Sequence, residues 1–295
     1  MRILITGATG FIGAHLAVAL AESHDVLGTA GNSPHLPGFP TRRVDLAESN
    51  AVRGLLRDFP ADVILHAAAM SRVLECEAQA ARAEQVNVAA TEALAQQATA
   101  RARLLFFSSD MVFSGDEGYY TEEDSPSPRN VYGWTKWRAE KAVLAASSQN
   151  LVIRLNLVVG KARGFGISFT ERILKDIRKK GKATLFADQY RSPIHVRSVV
   201  SAIAELIESE VSGLLHLGGP QRLSRAELGR ALCRAAGIEE KAVEESSYLN
   251  HPQSALLPRD TSFGRGRRET QLPQLAVQSV EKELRMDFRR EEILT

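Results

Sequence analysis

Tyr132 and Lys136 stand four residues apart in NVYGWTKWRAEKAV, and a helix brings residues i and i+4 to one face. A phenol, with an ordinary pKa of about 10, keeps its proton at neutral pH and can deliver it to a carbonyl oxygen that is becoming an alkoxide. A nearby ammonium favours the phenolate, each unit of lowering being worth about 1.36 kcal/mol. The spacing alone is common, and most such pairs are surface contacts. RLLFFSSDM changes its weight, because Ser108, Ser109 and Asp110 follow an apolar run in the same half of the chain. A serine hydroxyl there adds a second hydrogen bond that strengthens as negative charge develops.

These side chains need a scaffold. RILIT, HDVLG, DVILHA, RLLFFS and NLVIRL read as strands, with helical patterns over Phe11–Glu22, Ser49–Arg57, Val73–Ala100 and Val131–Ala146. Near-continuous apolar strands alternating with helices argue for a parallel sheet covered on both faces. The expected fold is α/β, a Rossmann-type doubly wound parallel sheet over residues 1–155. A smaller C-terminal substrate-binding lobe covers 156–295, with some segments returning to the first domain. Helices are expected there at Phe169–Lys180, Val196–Ser209 and Ser224–Ala236, with a strand at GLLHL. The lobe should stand at the carboxyl edge of the sheet, where open α/β sheets bind ligands.

The first strand runs into TGATGFIG, with glycines at 7, 10 and 13 before an alanine-rich helix. Such a turn lets a backbone approach a pyrophosphate and offers it unpaired helix N–H groups, so it reads as a dinucleotide site. Candidate cofactor contacts are Gly7, Thr9, Gly10, Phe11, Ile12 and Gly13 in the turn, Asp45 and Leu46 in VDL, and Ala67, Ala68 and Ala69 in HAAA, joined by Tyr132 and Lys136. Nicotinamide would supply the hydride. HDVLG ends without an acid to hold a ribose hydroxyl, whereas Arg42 and Arg43, before the third strand that ends at Asp45, suit a 2′-phosphate. NADPH is therefore favoured over NADH, with two solvated arginines as the alternative. His66, ending the fourth strand, reads as a satisfied core histidine.

Charged residues make up 24% and the formal net charge is +2, which gives no polyanion-binding composition and implies no nucleic acid. No apolar stretch approaches a membrane span, so a cytoplasmic protein is expected. Cys76 and Cys233 lack metal-ligand spacing and read as reduced packing thiols; no metal is expected.

TGATGFIG, VDL, DVILHAAAMSRVLECE, VNVAAT, SSDMVFSGDEGYYTEEDSPSPRNVYGWTKWRAEKAV, FADQYRSPIHV and LPRDTS occur in the order seen in the dTDP-4-dehydrorhamnose reductase family, which the chain resembles over nearly its whole length. The resemblance places that family's catalytic triad on Ser109, Tyr132 and Lys136. It implies NAD(P)H-dependent reduction of the 4-keto group of a nucleotide-diphosphate 6-deoxysugar, as in dTDP-rhamnose biosynthesis. It also makes Ser109, Asp110 and Arg259 substrate contacts, and a homodimer a candidate assembly.

Three departures bear on the sugar: Met111 stands where an aromatic is usual, Leu157 where a tryptophan is common, and Ser168–Phe169 where asparagine–phenylalanine is expected. A dehydratase would need a second acid after Asp110, and Met111 supplies none. An epimerase stays open. So does a non-catalytic regulatory subunit resembling the methionine adenosyltransferase β subunit, although a pure binding module has no chemical need of the triad. Arg265, Arg267 and Arg268 could hold a diphosphate or be a solvated charge run. Asp188, Gln189 and Pro193 either shape the substrate lobe or form turns. Trp134 and Trp137 share a helix face, with packing as the preferred use.

Overall fold

The computed structural model describes residues 1–31, 38–98, 102–164 and 166–288. Six strands come from the first 155 residues: β1 (Arg2–Thr6), β2 (Asp25–Ala30), β3 (Thr41–Arg43), β4 (Val63–His66), β5 (Arg103–Ser109) and β6 (Leu151–Leu155). The strand Gly213–Leu217 returns from the second half and pairs with β6. All seven are parallel, in the order Gly213–Leu217, β6, β5, β4, β1, β2, β3. Their side chains alternate between two buried layers. Ile3, Ile5, Leu65, Phe107 and Ile153 pack with helices Phe11–Leu20 and Val196–Glu208. Leu4, Ile64, Phe106 and Val152 pack with Ser49–Asp58, Ala90–Ala98 and Val131–Ala146. The expected sheet, covered on both faces, is present.

A separate core gathers Ile173, Leu232 and Leu284 from helices Phe169–Lys180, Arg225–Ala236 and Val280–Asp287. The first two of these helices start with capping boxes, Ser168 with Glu171 and Ser224 with Glu227, and end on left-handed Gly181 and Gly237. The last helix is tied back through Asp287, whose carboxylate meets His195 Nε2 and the Lys161 amide, each at 2.8 Å. Among the described residues no helix is long and apolar enough to cross a membrane.

The long helix expected over Val73–Ala100 is broken into Val73–Ala78, Ala80–Glu84, a π turn at Gln85–Ala89 and Ala90–Ala98, with residues 99 and 100 outside the described ones. Its first break falls at Gln79, whose φ of −134° and ψ of 53° are not helical. Its π turn carries Asn87, a residue committed to contacts outside the helix. The third strand ends at Arg43, short of Asp45, so Arg42 and Arg43 lie within it. FADQYRSPIHV divides among three short strands, Ala183–Phe186, Tyr190–Arg191 and Ile194–His195, whose pairing partners are all distant in sequence.

Candidate active site

The turn after β1 is a cradle closed by its own backbone. Gly7 adopts φ +67°, and a Cβ there would lie 2.8 Å from the Ala68 backbone. A Cβ on Gly13 would lie 2.2 Å from the Gly7 carbonyl oxygen, so only glycine lets the helix start this close to the turn. Gly10 caps that helix with no side-chain hydrogen bond, which leaves the first-turn amides of Phe11, Ile12 and Gly13 without a capping partner. Thr9 is buried beside them. Thr6 Oγ1 accepts from the Ala68 amide at 3.2 Å and holds the half-buried Ala67–Ala69 stretch over the turn. This shape and these uncapped amides fit the pyrophosphate of a dinucleotide.

Farther out, Asp45 is exposed, with Oδ1 accepting from the Ala47 amide and Oδ2 3.6 Å from Arg82, while Leu46 is half-buried. Arg42 is paired with Asp58 at 3.1 Å, both about half exposed.

The candidate reaction centre joins two elements. β5 ends at Ser109, which caps the short turn Asp110–Val112 by accepting from the Met111 amide at 3.2 Å. The helix Val131–Ala146 starts above it, capped by Asn130 Oδ1 on the Gly133 amide at 2.8 Å and by Glu77 Oε1 on the Val131 amide at 2.6 Å. Gly133 permits this approach, since a Cβ there would lie 2.2 Å from the Met111 carbonyl oxygen. Tyr132 stands beside Ser109, and burial holds its phenol above the ordinary value. The Ser109 contact opposes that rise, while Asp110 and Cys76 add to it. One turn on, Lys136 is 2% exposed, with Nζ 4.0 Å from the centre of the Phe106 ring. Burial pushes it down to about 7, with Glu140 pulling the other way.

His66 is the core histidine expected: its ring nitrogens meet Thr6 Oγ1 at 2.6 Å and Thr91 Oγ1 at 2.9 Å, and burial with Lys136 nearby brings it down to about 3. Behind the helix, buried Arg154 and Glu140 pair at 2.8 Å, and Ser108 donates to the same carboxylate. Ser108 is thereby committed to the scaffold.

Asp110, a predicted substrate contact, has both oxygens engaged: Oδ1 accepts from Ser109 Oγ at 3.0 Å, and Oδ2 meets Thr261 Oγ1 and Arg191 Nε. The Arg259 side chain is exposed, and its carbonyl accepts from the Tyr190 amide at 2.8 Å. Arg267 donates to the Leu214 and Ser212 carbonyls and Arg268 to that of Gly218, so both staple the edge strand. Asp188 serves a turn through Ser247 and the Tyr248 amide. Met111 is near Arg191, and Leu157 joins the second core. Trp134 and Trp137 pack on one another at 5.1 Å, with Lys141 over the latter.

Three residues were not singled out from the sequence. Asn87 is buried, bridges Met70 N and O, and donates to Thr135 Oγ1, which donates to the Tyr132 carbonyl. Its place in VNVAAT was the one available signal. Arg191 and Arg225 gave none, because what sets them apart, the burial of Arg191 and of the Arg225 NH1 atom, arises among partners distant in sequence.

Comparison with known proteins agrees with this architecture. Residues 1–276 match the family model described as RmlD substrate binding domain. The chain is 35% identical over 244 residues to methionine adenosyltransferase 2 subunit beta of Rattus norvegicus, covering 80% of this chain and 72% of that one. It is 31% identical over 262 residues to a dTDP-4-dehydrorhamnose reductase of Mycolicibacterium smegmatis, covering 87% and 76%. The crystal structure of dTDP-4-dehydrorhamnose reductase from Bacillus anthracis, in complex with NADP, superposes with a TM-score of 0.85 at 23% identity, covering 97% of this chain and 98% of that one. With this sheet and turn, and with residues 1–276 matched, the chain belongs to the RmlD substrate binding domain family.

Proposed function

We propose that the protein is an NAD(P)H-dependent oxidoreductase that reduces the 4-keto group of a nucleotide-diphosphate 6-deoxysugar, dTDP-4-dehydrorhamnose-like in class. The observation that carries this reading is the meeting of Ser109, at the end of β5, with Tyr132, at the start of the helix Val131–Ala146 and one helical turn from buried Lys136. The bound cofactor supplies hydride. Gly7, Gly10 and Gly13 with the Phe11 and Ile12 amides would hold its pyrophosphate, and Ala67–Ala69 would line its approach.

Tyr132 keeps its proton at neutral pH because burial disfavours the phenolate, and it gives that proton to the carbonyl oxygen as negative charge develops. Ser109 Oγ, which donates to Asp110 in the free protein, turns its hydrogen bond to the same oxygen. Lys136, when charged, stabilises the phenolate left behind. Met111 follows Asp110 with no second acid, which favours simple reduction over elimination. NADPH is the favoured cofactor: Arg42 and Arg43 stand on β3, beside the end of β2, and the Bacillus anthracis relative was solved with NADP.

A second reading, a regulatory subunit acting through a partner, draws on the identity to the methionine adenosyltransferase subunit. One experiment separates the two. The protein is incubated with NADPH and a panel of nucleotide 4-keto-6-deoxysugars, and in parallel titrated with a methionine adenosyltransferase catalytic chain. Reduction predicts one NADPH consumed per keto sugar. No turnover of any panel member together with tight binding of the catalytic chain supports the regulatory reading.

A further inference from the structure

Positive charge accumulates where the second lobe meets the reaction centre. Arg172, on the helix Phe169–Lys180, and Arg225, the first residue of Arg225–Ala236, both lie over the Phe169 ring, at 5.8 and 4.7 Å from its centre. Arg191 lies on the short strand between them in sequence and reaches Asp110 at 3.0 Å. Burial and the charges of Arg191 and Arg172 push the Arg225 guanidinium down to about 9, with Asp110 opposing.

The carboxylates near this cluster are committed elsewhere. Asp110 serves Ser109, Thr261 and Arg191. Glu171 and Glu227 close the capping boxes by accepting from the Ser168 and Ser224 amides at 2.8 and 2.6 Å. Arg191 is also spent, its remaining donors directed at the carbonyls of Tyr190, Arg259 and Pro258. Arg225 differs: Nε donates to Gln189 Oε1 at 3.1 Å, but NH1 is buried without a partner among the described residues. A buried guanidinium nitrogen left unpaired is costly, and such groups persist where a ligand completes them. Half-buried Phe169 and exposed Arg172 form the outer side of the cluster, from which a ligand would approach.

We propose that Arg225, with Arg172 at the rim, anchors the diphosphate of the substrate. This rests on the nucleotide-sugar reading for the identity of the anion, and on the unpaired NH1 for the site itself. The planar fork suits a bidentate contact to phosphate oxygens. The chain of contacts from Arg191 through Asp110 to Ser109 then links the anion site to the reaction centre.

The test is calorimetric titration of inorganic pyrophosphate into protein already saturated with NADPH, so that the glycine cradle is filled. Wild type binds, and Arg225→Gln weakens binding tenfold or more while its NADPH affinity stays within about twofold. Arg225→Lys, which keeps the charge and loses the fork, guards against a folding defect and is expected to weaken binding severalfold. Failure of wild type to bind pyrophosphate, or undiminished affinity in either folded variant, overturns the proposal. Arg225-dependent binding in a protein that reduces no keto sugar keeps the anion site and removes the nucleotide-sugar reading.

Discussion

Lys136 shows how much a single side chain at this site costs the fold. Its ammonium is buried over an aromatic ring, and its folded pKa of about 7 lies below the 10.5 of an exposed lysine. Below pH 7 both folded and unfolded chains carry the proton and the penalty is complete. Between about 7 and 10.5 the unfolded chain binds more protons, so this contribution makes stability rise with pH. Lys136→Met should therefore stabilise the protein by roughly 2–4 kcal/mol at pH 6, and by much less at pH 9.5, in urea unfolding. An equal gain at both values would contradict the buried-charge account. Tyr132 and Lys136 were legible because their relation is local, one turn of one helix. Arg191 and Arg225 were not, since each matters through partners far away in sequence, the former with Asp110 and the latter with Gln189. Spacing gave no sign of the largest effect on either group, which is burial, raising the Tyr132 phenol and lowering the Lys136 ammonium.

At the level of elements, glycines set how closely backbones meet. The close turn after β1 was visible in three glycines at the junction of a strand and a helix. Its reason is steric: Gly13 lies against the Gly7 carbonyl at a separation that no Cβ tolerates. Gly13→Val should destabilise the protein by about 1–3 kcal/mol through overpacking. It should also weaken NADPH binding tenfold or more in a fluorescence titration, and near-native affinity would show that the turn is not the pyrophosphate cradle. Breaks within helical patterns were harder to read. The apolar period of Val73–Ala98 continues through the π turn, and nothing local announces that Asn87 must leave the helix register to hold Met70 and Thr135. The third strand was misplaced by two residues for a similar reason: VDL looks extended, but pairing with β2 ends at Arg43.

For the whole molecule, the alternation of apolar strands and helices dictated the parallel sheet, because strands buried on both faces must be apolar throughout. Strand order did not follow from it. GLLHL, read within the later part of the chain, closes the edge of the first sheet beside β6, and the helix before it packs with Phe11–Leu20. The second half thus contributes both a separate core and part of the first, and their junction brings Arg191 and Thr261 to the Asp110 carboxylate that meets Ser109. The account depends on that junction serving proton transfer. The most direct test is steady-state NADPH oxidation with a nucleotide 4-keto-6-deoxysugar, comparing wild type with Tyr132→Phe. The account predicts a kcat lower by about 10²–10⁴-fold with KM little changed; undiminished kcat in the variant would contradict it.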